Sequence, residues 1–479
     1  MQIGHKLNGK FVLDKHVGSA LLSSPDLITI LESKAKLQLD GLRQQQQPQL
    51  FAFPVKSVPA KLTNWHITGF HQVFGTVYDQ LGFPAGLLRE LCIGRIVYPK
   101  SKLATVDYFH QYLGIDLSIS QVYRFLDTIE KTQLVATASA FVSHKPTGFS
   151  FVLYDVTTLH FETTVEDNLR QKGFAKNHRN DLPQVLVGLF VDPQGYPFDF
   201  DVFSGSTFEG HTLQTVVTDF KVKHQISELT IVADAGMLSL QNLQKLKDLQ
   251  VHYIVGARIK NLAKNPSQLI FNHDFSVKEI FETNVSEYGR LIVEYSASRA
   301  TKNKRDREKS VAKITLDLQS HKPMLRKRKY LTVLNINNSD IVLNQAQIDQ
   351  DTKFDGLKGY YTNLDNTHQT SEVISHYKNL WKVESAFRMS KSDFRERPIY
   401  HAKEQRILAH LCICFVALLV GKETEKILKD HCSLQQAILL LGKVGKGIAK
   451  VDKLELEIES EVDLETQEIL DTVKQYNHA

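Results

Sequence analysis

The chain has 479 residues, 42% of them hydrophobic and 23% charged, with a formal net charge of +5 and a pI near 8.7. That balance excludes a disordered or fibrous chain, predicts about three domains, and is too mild to demand nucleic acid by itself. The longest apolar run, residues 411–420, is too short to span a bilayer, and the N-terminus carries no apolar core of signal-peptide length, so the expectation is a cytoplasmic protein with no membrane partner. Cys92, Cys412, Cys414 and Cys432 form no C-x-x-C pair, which argues against structural zinc or a disulfide.

Residues 1–60 carry short apolar stretches and a Gln-rich linker, "RQQQQPQ" at 43–49. Residues 61–147 are predicted helical from about Trp65. "SKLATVDYFHQYLG" has helical spacing and stops at Gly114, and "SISQVYRFLDTIEK" opens on Ser118-x-x-Gln121, a capping-box pattern. Helix, glycine turn and second helix outline a helix-turn-helix, with Gln121, Tyr123 and Arg124 near the start of the second helix. Plain helical bundles contain the same pair.

The texture changes at Gly148. "FSFVLYDVTTLHFE" reads as a strand, and "QVLVGLFVDPQGYPFDFDVFSG" as two strands joined at Pro193-Gln194-Gly195. A helix ("HTLQTVVTDFKVK"), a strand ("ELTIVADAGM"), a helix ("SLQNLQKLKDLQ") and a strand ("VHYIVGARI") follow. This order predicts an α/β protein with a ribonuclease-H-like core, a mixed sheet with flanking helices, beginning at 148–259. Residues 260–368 read as a β-rich insertion holding two basic clusters, "RATKNKRDREK" (299–309) and "RKRK" (326–329), either solvated loops or a phosphate-binding surface. Residues 369–425 return to the core, and 426–479 are predicted to be a helical C-terminal region.

Near the end of the core, "YKNLWKVESAFRMSK" (377–391) reads as one helix. Glu384 lies seven residues from both Tyr377 and Lys391, so the three form a stripe, flanked by Trp381 and Arg388. Alone, such a helix is solvated and Glu384 pairs with Arg388. Asp155 sits within an apolar strand and Asp234 at a strand's carboxyl end, where single acids serve as turn formers or caps. In a ribonuclease-H-like sheet the first and fourth strands are neighbours, which brings Asp155 and Asp234 together, and a later helix can add Glu384. Three crowded carboxylates repel, and hard Mg²⁺ relieves that; two ions ~4 Å apart can activate a nucleophile and stabilise a leaving oxygen. Asp199 and Asp201 in "FDFD" face one side of a strand together and read as solvent-facing acids, with a peripheral metal role as the alternative; Glu209 and His211 read as a loop and helix start, and Trp381 as either a base-stacking or a core side chain.

"YDVTT", "VADAGM" and Y-x-x-x-W-x-x-E-x-x-F-R-x-x-K followed by "RPIYH" resemble the DDE transposases of bacterial insertion sequences, in the superfamily named after insertion sequence four, over roughly residues 90–425. The resemblance implies Mg²⁺, with Mn²⁺ able to substitute, on Asp155, Asp234 and Glu384. It implies DNA-phosphate contacts by Tyr377 and Lys391, and DNA contacts by the insertion through Lys302, Lys304, Arg305 and Arg307. The implied activity is that of a transposase, acting as a homodimer on DNA. It binds inverted terminal repeats through its N-terminal region, cleaves the element ends with metal-activated water and joins the 3′-hydroxyl to target DNA. The family's arginine three residues after the tyrosine is Leu380 here, leaving Lys378 or Arg388 to take its place. Two other readings stay open: a ribonuclease-H-like endonuclease or resolvase without strand transfer, and an inactive domesticated copy acting as a DNA-binding protein.

Overall fold

The computed structural model describes residues 2–7, 10–16, 29–36, 38, 60–145, 149–173, 181–207, 209–224, 226, 228–237, 239–276, 278–319, 329–335, 340–451 and 454–476. The Gln-rich linker, and 326–328 of the second basic cluster, lie outside them. The chain divides into two units. The smaller, residues 1–62 with 449–456, holds an antiparallel hairpin of Gln2–Leu7 and Lys10–His16. The larger, 63–448 with 457–479, carries every predicted site residue.

In the larger unit the helical segment starts later than predicted, because Trp65 lies in the strand Ala60–Ile67 and the first helical turn is His71–Gly75. Four helices follow: α1 (Leu87–Val97), α2 (Lys102–Tyr108), α3 (Ile119–Leu126) and α4 (Lys131–Ser143). The chain leaving α2 stops at Gly114, whose φ of 66° is the left-handed conformation that glycine adopts without cost. Ser118 then caps α3 with the predicted box: the Ser118 N–H donates to Gln121 Oε1 at 2.7 Å, and the Gln121 N–H to Ser118 Oγ at 3.2 Å.

The sheet is built from β1 (Phe151–His160), β2 (Gln184–Val191), β3 (Pro197–Ser204), β4 (Thr230–Ala233), β5 (His252–Ala257), β6 (Ile280–Val285), β7 (Gly289–Tyr295) and β8 (Leu357–Thr362). Its eight strands run in the order β3-β2-β1-β4-β5-β8-β7-β6. Only β1–β4 and β4–β5 pair in parallel. Helices α5 (Glu209–His224) and α6 (Leu240–Asp248) fill the two crossovers. The mixed sheet with flanking helices is therefore as the sequence predicts.

The segment read as an interruption extends this sheet: β8 pairs with β5, β7 with β8, and β6 with β7, all antiparallel. Its first basic cluster is neither loop nor strand but part of α7 (Ala297–Gln319), a helix of 23 residues in which Ile314 is buried. The expected single helix around Glu384 is two: α8 (Thr370–Lys378) and α9 (Trp381–Arg388). Residues 411–420 lie inside α10 (Glu404–Ile427), which by length and composition could cross a membrane. Its apolar window is 89% buried, packed against α1, α3, α4 and β3, which makes it the central core helix of this unit. Cys92, Cys412 and Cys414 are buried free thiols in the same core. The C-terminal region is not wholly helical, since strands Gly445–Val451 and Leu454–Glu459 stand between helices Leu434–Leu441 and Leu464–Tyr476.

Candidate active site

Strand alternation sends Phe151, Leu153, Asp155 and Thr157 to one face of β1. Tyr154 takes the other, where its ring lies 4.9 Å from that of Phe190. The first face is covered by α8 and α9: Phe151 stacks on His376 of α8 at 3.6 Å, and the Lys391 ammonium donates to Thr157 Oγ1. Parallel pairing of β1 with β4 runs to Tyr154 opposite Ala233. Asp155 is the next residue on β1 and Asp234 the first residue past the end of β4, so the pairing brings both acids to the same end of these neighbouring strands. Each carboxylate accepts the N–H of the following residue, Val156 at 2.8 Å and Ala235 at 2.6 Å.

Glu384 enters on the first turn of α9 and is exposed, as is Asp234; Asp155 is half-buried. What ties the three together is Tyr377 of α8. Its ring is 6% exposed and lies 4.7 Å from that of Tyr360 on β8. A Cβ at Gly256 on β5 would stand 2.5 Å from the Tyr377 hydroxyl, so only glycine lets the phenol settle there. Burial raises the phenol's pKa above its ordinary value, and the charges of Asp234, Glu384 and Asp155 raise it further, opposed by Arg299 at the start of α7. Three acids from three separate elements thus act on one hydroxyl. Among the described residues, no three His, Cys, Asp or Glu side chains are gathered closely enough to hold a metal ion as they stand. The hard oxygen donors of Asp155 and Asp234 suit a divalent cation, and the exposed Glu384 can complete the set by rotating its side chain.

The stripe expected from Tyr377 to Lys391 does not face a single surroundings. At the join of α8 and α9 the backbone tightens, with Leu380 N–H bonded to Tyr377 O at 3.0 Å and Lys382 N–H to Asn379 O at 2.9 Å. Beyond Arg388 it loosens into a π turn, Met389–Asp393. Tyr377 is therefore buried rather than turned to DNA, Glu384 exposed and Lys391 intermediate. Leu380 is 7% exposed and belongs to the core, so the position where relatives carry arginine does not face DNA here. Lys378 does not stand in for it, being held by Glu294 at 2.8 Å. Trp381 is 59% exposed, which removes the core alternative, and Arg388 is exposed.

Of the basic quartet on α7, Lys302, Lys304 and Arg305 are exposed. Arg307 is not a free cation: it turns inward and pairs with Asp355 at 2.5 Å. Gln121 is exposed, but its side chain is engaged in the cap of α3. Tyr123 lies under the Arg406 guanidinium at 4.8 Å, and Arg124 is exposed. Asp199 and Asp201 are not solvent-facing acids, since Asp199 is 3% exposed and bound to Lys223 at 2.8 Å, and Asp201 is bound to Lys131 at 2.5 Å. Glu209 opens α5, as the predicted helix start requires.

Sequence reasoning missed Arg299, Thr157, Gly256, Tyr360 and Lys358, whose ammonium lies 4.6 Å over the Tyr377 ring. Two of these had a local signal, since Thr157 lies within "YDVTT" and Arg299 opens the first basic cluster. Gly256 and Tyr360 gave none, because what joins them is the pairing of β5 with β8.

These features define an α/β protein built on a mixed eight-stranded sheet. A family model described as the transposase DDE domain matches residues 146–420, more than half of the chain, and the chain belongs to that family. It is a DDE-type transposase enzyme, of a family that uses divalent metal ions. No curated protein matches the sequence. The cryo-EM structure of a piggyBac transposase synaptic complex with hairpin DNA is similar at a TM-score of 0.38 and 10% identity, over 78% of this chain and 76% of that one, too distant a likeness to assign any residue.

Proposed function

We propose that the chain is the transposase of a bacterial insertion sequence, acting in the cytoplasm on DNA, with Asp155, Asp234 and Glu384 as the ligands of two Mg²⁺ ions on a ribonuclease-H-like core. The observation that carries this reading is the parallel pairing of β1 with β4, which ends one residue short of both Asp155 and Asp234, inside the stretch matched by the family model. When bound, the metal ions supply an activated water or 3′-hydroxyl and stabilise the leaving oxygen of the cleaved phosphodiester. Asp155 and Asp234 hold fixed positions because adjacent strands set their backbones, and α9 brings Glu384 over them. Tyr377 keeps its phenolic proton and packs against the Tyr360 ring. Lys391, anchored at Thr157 two residues beyond Asp155, holds a phosphate next to the scissile one. Trp381, Arg388, Arg299 and the exposed cations of α7 track the DNA flanking that phosphate, while α3 carries end recognition through Arg124 and Tyr123. In the synaptic complex two copies each present one such site.

The test uses a duplex carrying the inverted repeats that flank this gene. Cleavage at the repeat end and joining of the 3′-hydroxyl to a second duplex, with Mg²⁺ or Mn²⁺ but not in EDTA, are expected. Cleavage without joining establishes the endonuclease reading instead, and binding without either establishes a DNA-binding protein.

A further inference from the structure

A second concentration of charge lies away from the acids. A cavity of about 250 Å³ is walled by Arg95 of α1, Lys100 and Lys102 at the start of α2, and Arg395, Arg397 and His401 from the segment after α9. No carboxylate lines it. Two of its cations are more than nine-tenths buried, Arg95 at 5% exposure and Lys102 at 6%. Arg95 gives one bond from Nη1 to the Phe394 carbonyl at 3.3 Å and keeps Nε buried without a partner. Among the described residues, no acceptor meets the Lys102 ammonium. The buried carboxyl of Glu396, whose charge acts on Arg95 and Arg397, accepts from Ser390 Oγ at 2.7 Å and lines a different cavity.

The larger cavity beside α7, about 680 Å³, shows what ordinary pairing looks like. There Lys260 and Lys329 both meet Asp351, and Arg307 meets Asp355. Leaving a charge buried and unpaired costs several kcal/mol or more by ordinary transfer arguments. The cost is visible in the titration of the group: burial and the charge of Arg95 bring Lys102 down to about 7, and burial with Lys102 and Arg406 brings His401 down to about 4. A wall of this kind is completed by an anion.

We propose that this cavity is a phosphate-binding subsite, distinct from the three-acid centre, that takes a backbone phosphate of the DNA strand on which that centre acts. The DNA source rests on the transposase reading; the phosphate chemistry rests on the cavity alone. Position supports the source. Ile399 bridges Phe161, six residues beyond Asp155 and one past the end of β1. At ~3.3 Å per residue that is about 20 Å, or about six base pairs of duplex rise. Tyr400, 70% exposed at the mouth, offers a ring to the adjoining nucleotide.

The experiment uses the full chain in EDTA, which keeps the three-acid centre out of the measurement. Melting temperature is followed against inorganic phosphate at constant ionic strength, and affinity for a short duplex against salt, for wild type, Lys102→Met and the exposed-site variant Arg397→Gln. Phosphate is expected to stabilise wild type, and Lys102→Met to melt higher than wild type without anion and to ignore phosphate. Both variants are expected to bind duplex several-fold more weakly, with the salt slope smaller by ~0.9 because one phosphate is no longer neutralised. Phosphate stabilisation of both variants equal to that of wild type overturns the subsite. A phosphate response abolished in the variants with duplex affinity intact overturns the DNA source, leaving a site for free phosphate. Wild type that binds no duplex overturns the transposase reading, while the phosphate titration still decides the cavity.

Discussion

The acid centre and the cation cavity each gather like charges, but they differ in exposure. Asp234 and Glu384 stand in solvent and Asp155 is half-buried, so water screens their repulsion until metal arrives. Arg95 and Lys102 are each more than nine-tenths buried between α1, α2 and the segment after α9, where water screens them less. An open acidic site can wait empty at little cost to the fold. A closed basic one weakens the fold until its ligand comes, and mutation should tell the two apart.

The largest effect is expected at the acids. Asp155→Asn, Asp234→Asn and Glu384→Gln should each bring end cleavage below detection while the melting temperature holds or rises, because repulsion is removed and packing is kept. Wild-type cleavage in any one of them would strike that residue from the centre. Next comes Leu380→Arg. It buries an unpaired charge beside Val383 and Tyr377 and should cost about 3–5 kcal/mol in denaturant unfolding, with no gain in DNA binding. Trp381→Ala, one residue on but exposed, should cost about 0.5 kcal/mol or less.

On α7 the quartet should split. Arg307→Ala breaks the Asp355 pair and should cost about 2 kcal/mol of stability with the DNA salt slope unchanged. Joint replacement of Lys302, Lys304 and Arg305 by Ala should leave stability alone and flatten the slope, by ~0.9 for each phosphate no longer neutralised. Identical behaviour of the two variants would contradict the inward placement of Arg307.

A further effect is a pH dependence. Lys102 falls from an ordinary 10.5 to about 7 in the folded chain, facing Arg95 and Cys92 from α1, Cys414 and His410 from α10, and His401. Between those values the unfolded chain holds the extra proton, so this group makes stability rise with pH from about 7 to 10.5. Wild type should therefore gain more than Lys102→Met on moving from pH 7 to 9; parallel melting curves would mean that Lys102 is not strained.

Much of the sheet and the helix caps was legible in the sequence because their marks are local. The strand that carries Asp155 and the one that ends before Asp234 showed in their texture, and the cap of Ser118 and Gln121 in its spacing. What failed depended on partners far along the chain. The stripe from Tyr377 to Lys391 assumed ideal winding, which a tight join at Leu380 and a π turn after Arg388 undo. The insertion read as separate because nothing local says that β8 will pair with β5. Arg307 matched its neighbours in composition, and only Asp355, 48 residues on, sets it apart. Of the cation cavity only "RPIYH" stood out, since its walls come from segments some 300 residues apart, Arg95 and Arg395 among them.

Mn²⁺ binding followed by electron paramagnetic resonance, with duplex DNA present, tests the central claim most directly. The account predicts tight binding by wild type that disappears in Asp155→Asn, Asp234→Asn and Glu384→Gln alike. Wild-type Mn²⁺ binding in Glu384→Gln, with cleavage intact, would contradict it.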